Sequence, residues 1–170
     1  MKKLLPKNSG FTLIELLVAL TIVAILAVSV FVALNPAQRL KDAKDSRRAT
    51  DVDQILTGIH QSIVDNKGTY PTNMPAVGEE HLIGSPQGNT TNCPASVGTY
   101  CTALTAGCAD LMSGGQSLTK YLASIPIDPV GSAGGADSTK TGYSVKRDTN
   151  GIVTVKACYT DDTAAISASR

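Results

Sequence analysis

Glu15 is the one acid in a run, residues 11–34, whose other polar members are only Thr12, Thr21 and Ser29. An ionised carboxylate costs roughly 2.5–3.5 kcal/mol in the middle of a bilayer on insertion scales, so an acid kept there implies a partner. Cys93, Cys101, Cys108 and Cys158 are the other reactive set. Their spacings lack the paired C-x2–4-C units of zinc sites, which leaves disulfide formation as their expected chemistry. Four cysteines allow three connectivities; the expectation is Cys93–Cys101 and Cys108–Cys158, one local loop and one tie to the last strand. His60 and His81 have no acid–histidine–nucleophile spacing around them, so no catalytic residue is proposed. The glycine-rich stretch 131–136 lacks the lysine and the strand–loop–helix context of a phosphate loop and reads as a turn. Asn89-Thr90-Thr91 fits a glycosylation acceptor, a pattern short enough to arise by chance.

The element that carries Glu15 must be a membrane helix. The 24 residues 11–34 would make about 36 Å of helix, against a hydrocarbon core of about 30 Å. Lys2, Lys3 and Lys7 precede the run, which predicts a cytoplasmic N-terminus and an extracytoplasmic remainder. A cleaved secretory signal would need a shorter apolar stretch and a small-residue site, which Val32-Ala33-Leu34-Asn35 does not supply. A plain anchor explains the length but not the acid. The 170 residues have a formal charge of +1, with 42% hydrophobic and 17% charged side chains, which suits one modest domain plus an appendage and excludes a polybasic nucleic-acid binder.

The decapeptide Lys7-Asn8-Ser9-Gly10-Phe11-Thr12-Leu13-Ile14-Glu15-Leu16 resembles the prepilin signal of type IV pilins and type II secretion pseudopilins: a basic leader ending in Gly, then Phe, with Glu fifth after the cut. The resemblance implies a prepilin peptidase that cuts between Gly10 and Phe11 and methylates the new terminus. Glu15 would then serve filament self-assembly at an inner-membrane assembly platform. Beside the resemblance, the charges agree: cleavage creates an amine at Phe11 that can meet the Glu15 carboxylate of a neighbour, or that of its own helix four residues on. Ala19, Ala24, Ala27 and Ser29 would allow close helix approach.

Beyond the span, Asn35-Pro36 predicts a kink, because proline disfavours helix before it and lacks an N–H. Helix composition then resumes. Val52, Ile55, Leu56, Ile59 and Ile63 form one apolar face expected on a sheet. The mixed-sign run Arg39, Lys41, Asp42, Lys44, Asp45, Arg47, Arg48, Asp51 and Asp53 reads as a solvated face with pairs such as Lys41–Asp45 and Arg47–Asp51, or as a contact between subunits. Gly68 suits a left-handed cap before a turn at Thr69-Tyr70-Pro71. In the head, residues 72–105 read as an irregular loop, 109–124 as a short interrupted helix, and 141–147 and 152–159 as strands joined by a turn at 148–151.

The stretch Leu122-Ala-Ser-Ile-Pro126-Ile-Asp128-Pro129 is similar to an element that pseudopilin heads carry ahead of their sheet, and residues 35–48 also resemble pseudopilins. Major pseudopilins often hold calcium in an acidic head loop, which makes Asp128 and Asp137 candidate oxygen ligands. The family's loop spacing is not matched, however, and calcium requires six to eight oxygens. The expected architecture is therefore a pilin-like α+β fold: leader 1–10, membrane half-helix 11–34, amphipathic half-helix 35–67, and a disulfide-stapled head, 68–170, with a small antiparallel sheet. The expected role is a non-enzymatic filament subunit of a pilus or a secretion pseudopilus. The alternatives are a minor pilin with an adhesive or DNA-uptake role and a membrane-tethered binding domain. Two Phe, five Tyr and no Trp argue against a base-stacking surface.

Overall fold

The computed structural model describes residues 10–130, 135–161 and 164–170. It divides into two compact units, Met1–Leu40 and Lys41–Arg170.

In the first unit, α1 spans Leu13–Leu34 and buries none of its residues. Thr21 and Ser29 donate their hydroxyls to the carbonyls of Val18 and Leu26 at 2.8 Å. These two hydroxyls are thereby satisfied inside the helix, as a lipid environment demands. Asn35 ends α1 in the left-handed region, φ +41°, and α2 begins at Pro36 and runs to Asp65. The carbonyl of Asn35 accepts from the N–H groups of Gln38 and Arg39. The expected disturbance at Asn35-Pro36 is thus a change of helix at one residue: asparagine tolerates positive φ, and proline sits at a first helical position where its missing N–H costs nothing.

The second unit is built on the sheet. In chain order its strands are β1 (Glu80–Gly84), β2 (Cys108–Ala109), β3 (Lys140–Arg147), β4 (Val153–Ala157) and β5 (Ser167–Ser169). Their spatial order is β2-β1-β3-β4-β5. Only β1 and β2 run parallel; the other pairs are antiparallel, with Tyr143 opposite Ala157 and Val145 opposite Val155. Val52, Ile55, Leu56 and Ile59 of α2 pack with Ile83, Tyr143, Val145, Val153 and Val155 in the main core, and Ile63 is half-buried at its margin. The helix ends as expected, with Gly68 at φ +87° and its N–H bonded to the Ile63 carbonyl at 2.8 Å. The hairpin turn at 148–151 is also as read, closed by the N–H of Asp148 on the Ile152 carbonyl.

Two segments differ from expectation. Residues 72–105 are not wholly irregular, since they contain β1, whose sequence Glu-His-Leu-Ile-Gly is too short to show a period. Residues 109–124 do not form an α-helix. They give the end of β2 and a three-residue 3-10 turn, Leu118–Lys120, with Gly114 at φ +94° breaking the run.

The disulfides are Cys93–Cys108 and Cys101–Cys158, not the expected Cys93–Cys101 and Cys108–Cys158. The correction has a backbone cause. Val97 N–H bonds to the Cys101 carbonyl in a tight reversal, and the N–H groups of Thr99 and Tyr100 both reach the Cys158 carbonyl, which brings Cys101 to β4. The Gly107 N–H bonds to the Cys93 carbonyl and sets Cys108 beside Cys93. Strand alternation sends Ile83 and Ala109 to the α2 face and Leu82 and Cys108 to the other. There the four half-cystines, Leu82 and Leu104 make a second small core.

Candidate functional site: the N-terminal signal helix

Gly10 has no backbone or packing reason to be glycine. A Cβ built on it meets nothing within 4 Å, and its φ lies outside the left-handed region. Phe11 follows, 72% exposed. Thr12 is the N-cap of α1, extended at φ −85° and ψ 147°, and its hydroxyl accepts from the Glu15 N–H at 3.3 Å. Sequence reasoning counted Thr12 only as a polar interruption, although Thr12-x-x-Glu15 has capping-box spacing. Only the threonine half of that box is formed. Glu15 is exposed in the first turn, where the positive end of the helix dipole favours an acid. Among the described residues its carboxylate has neither a hydrogen bond nor an ion pair.

The other residues singled out from sequence are spread through the second unit. Arg48, expected on a solvated face, is fully buried. Its Nη1 donates at 2.6 Å to both Asp45 and Asp161, while Nε and Nη2 donate to the two oxygens of Asp128 at 2.9 and 3.0 Å. Burial works against the Arg48 charge, but the hydrogen bonds it donates to the three carboxylates outweigh it and raise the pKa. Asp51, also expected outside, is buried and accepts from the Tyr143 hydroxyl at 2.8 Å, with Arg47 at 3.7 Å. Burial and that bond raise the Tyr143 pKa. Asp45 joins Arg48 at i+3. The signal was in the spacing, because Arg48, Val52, Ile55 and Ile59 share one helical stripe.

The candidate calcium ligands are otherwise engaged. Both Asp128 oxygens are held by Arg48, and Oδ1 also accepts from the Val130 N–H. Asp137 Oδ1 accepts from the N–H and hydroxyl of Thr139 and the N–H of Lys140, which lowers its pKa. No group of three metal-ligating side chains occurs among the described residues. His60 Nε2 lies 3.1 Å from the Arg170 carbonyl, and His81 sits between the Gly107 carbonyl and Glu79. Asn89 caps its own turn through Thr91 and Asn92. Of the stretch 131–136, residues 131–134 lie outside the described residues.

A capped, wholly exposed apolar helix with one unpaired acid in its first turn, following an unconstrained glycine, is long and apolar enough to cross a membrane and fits a signal of the prepilin type. Residues 5–31 match the family model for the prokaryotic N-terminal methylation motif, so the chain carries that signal, and the fold around it is α+β and pilin-like. No curated protein and no solved structure matches the chain.

Proposed function

We propose that the protein is a structural subunit of a type IV pilus-like or type II secretion pseudopilus-like filament. A prepilin peptidase cuts it between Gly10 and Phe11 and methylates the new terminus. α1 then holds it in the cytoplasmic membrane with the N-terminus inside and the residues after Leu34 outside. Subunits assemble through α1, the Phe11 amine of one meeting the Glu15 carboxylate of another.

One observation carries the reading: Gly10, at the cut site of a matched methylation motif, has neither a positive φ nor a close neighbour to require glycine, a freedom that among the described glycines only Gly115, far from the signal, shares. Gly142, by contrast, stands at φ +86° with Asp128 Cβ 2.8 Å from where its own Cβ would be. A glycine the fold does not need, at the cut site of a matched methylation motif, is explained by an enzyme that must accommodate the backbone. Intact mass and N-terminal sequencing of membrane-extracted protein test this. The expected first residue is N-methyl-Phe11, and Gly10→Val should accumulate as full-length precursor. A chain beginning at Met1, or near Asn35, would sink the proposal.

A further inference from the structure

Arg147 differs from the other arginines of the second unit for which ion pairs are seen. Arg48 has three carboxylates and Arg47 has one, but Arg147 forms no ion pair among the described residues. Its guanidinium is nevertheless held in place. It stacks on the Tyr70 ring, 4.5 Å from the centroid. That ring is itself pinned, with its hydroxyl donating to the Gly151 carbonyl at 2.9 Å. The backbone beneath is fixed too: the Arg147 carbonyl accepts from Gly78, and Arg147 pairs with Val153 across β3 and β4. Within this frame Arg147 Nε is buried with no acceptor. The adjacent acid cannot serve, because Asp148 is engaged by the N–H groups of Asn150 and Ile152 and by the Asn150 amide.

The stacked guanidinium lines an open cleft of about 560 Å³ with Thr69, Thr72 and Gln116, and no acid lines it. The Gln116 N–H donates to the Thr72 hydroxyl, which leaves the Gln116 side-chain amide, the Thr69 hydroxyl and the proton of the Thr72 hydroxyl to meet a guest. A guanidinium pre-set by stacking loses little freedom on binding, and its terminal Nη1–Nη2 edge, not the buried Nε, is the fork it offers to a two-oxygen planar anion.

We propose that this cleft is a subsite for a carboxylate-bearing small ligand, taken by the Arg147 guanidinium, with Gln116 and the threonine hydroxyls meeting the ligand's remaining polar groups. The site is independent of the filament reading, since it lies wholly in the second unit and uses no residue of the signal helix. A uronic-acid sugar and an acylated acidic amino acid share the required chemistry.

The test is NMR of the full-length chain in detergent with labelled arginine side chains, titrated at constant ionic strength with glucuronate, N-acetylglutamate, and the neutral controls glucose and N-acetylglutamine. The Arg147 Nε–H resonance should shift saturably with at least one of the two acids, at a Kd of about 1 mM or tighter, and with neither neutral control. The acid that binds more tightly identifies the source. Arg147→Lys keeps the charge and removes the fork, so affinity followed on the Gln116 side-chain amide should fall about tenfold or more. A stack that only stabilises the hairpin would show no saturable shift with either acid. That result, equal shifts from the neutral controls, or full affinity in Arg147→Lys would overturn the proposal.

Discussion

Arg48 places one positive charge among Asp45, Asp128 and Asp161, so its removal leaves three acids facing one another with two of them only partly solvated. Breaking a buried pair in this way costs about 3–5 kcal/mol, whereas the intact pair adds far less than its Coulomb energy suggests. Arg48→Met should therefore destabilise the second unit by about that amount, read as a lowered denaturation midpoint by near-UV circular dichroism. Arg48→Lys, with one ammonium in place of the fork, should fall between the two. An unchanged midpoint in Arg48→Met would show that the cluster contributes no stability. Tyr143 sets a pH dependence of definite sign. Its folded pKa is raised above the ordinary 10.0 by burial first and by Asp51 second. Its contribution is thus complete below about pH 10 and is lost as pH rises, by up to about 1.4 kcal/mol per pH unit. Tyr121 and Tyr159 shift in the same direction. Unfolding followed from pH 9 to 11 should show this fall, and Tyr143→Phe should reduce its slope. A slope identical in the variant would assign the effect to the other two tyrosines.

Among the elements, those with long periods were legible and those defined by partners were not. The five apolar positions of α2 announce their face, and the glycine at 68 announces its end, because a helix repeats its signal over many turns. β1 and β5, five and three residues long, carry too few residues for a period, and each exists because a neighbouring strand supplies its hydrogen bonds. The disulfide pairing failed for a related reason. The expectation paired one local loop with one tie to the last strand, while the pairing follows the reversal at Val97–Cys101 and the parallel register of β1 with β2, neither of which sequence displays. The signal helix lies at the other extreme: its motif was legible because it is written in contiguous residues, 5–31, whereas the buried Arg48 cluster draws on residues 80 and 113 positions away. The observed pairing gives a graded expectation. Bridging residues 15 apart should stabilise by about 3 kcal/mol, and bridging residues 57 apart by about 4 kcal/mol, in the chain-entropy account. The double variant Cys101→Ser/Cys158→Ser should lower the unfolding midpoint more than Cys93→Ser/Cys108→Ser. Peptide mapping without reduction should recover Cys93 joined to Cys108, and recovery of Cys93 joined to Cys101 would reject this topology.

For the whole molecule, the decisive group is again Glu15, because its position in the first turn admits two explanations with different consequences. As a dipole partner at the start of α1 it contributes about 0.3–1 kcal/mol to one helix and nothing to assembly. As the counter-charge to a neighbour's Phe11 amine it prevents two buried charges from going unpaired, an effect of about 3–5 kcal/mol at each subunit contact. Replacement by valine separates them. Glu15→Val removes the charge penalty, so the chain should enter the membrane at least as well as wild type and be cut to Phe11, yet the sheared-filament fraction should drop to background while the membrane fraction stays full. Glu15→Asp keeps the charge one methylene further back and should assemble to an intermediate level. In cells that also express wild type, the variant's amine can still meet wild-type carboxylates, so some variant should reappear in filaments. A local dipole role makes none of these distinctions and predicts normal filaments from Glu15→Val. That outcome would move the assembly contact away from this carboxylate and leave the helix dipole as the account of its place in the first turn.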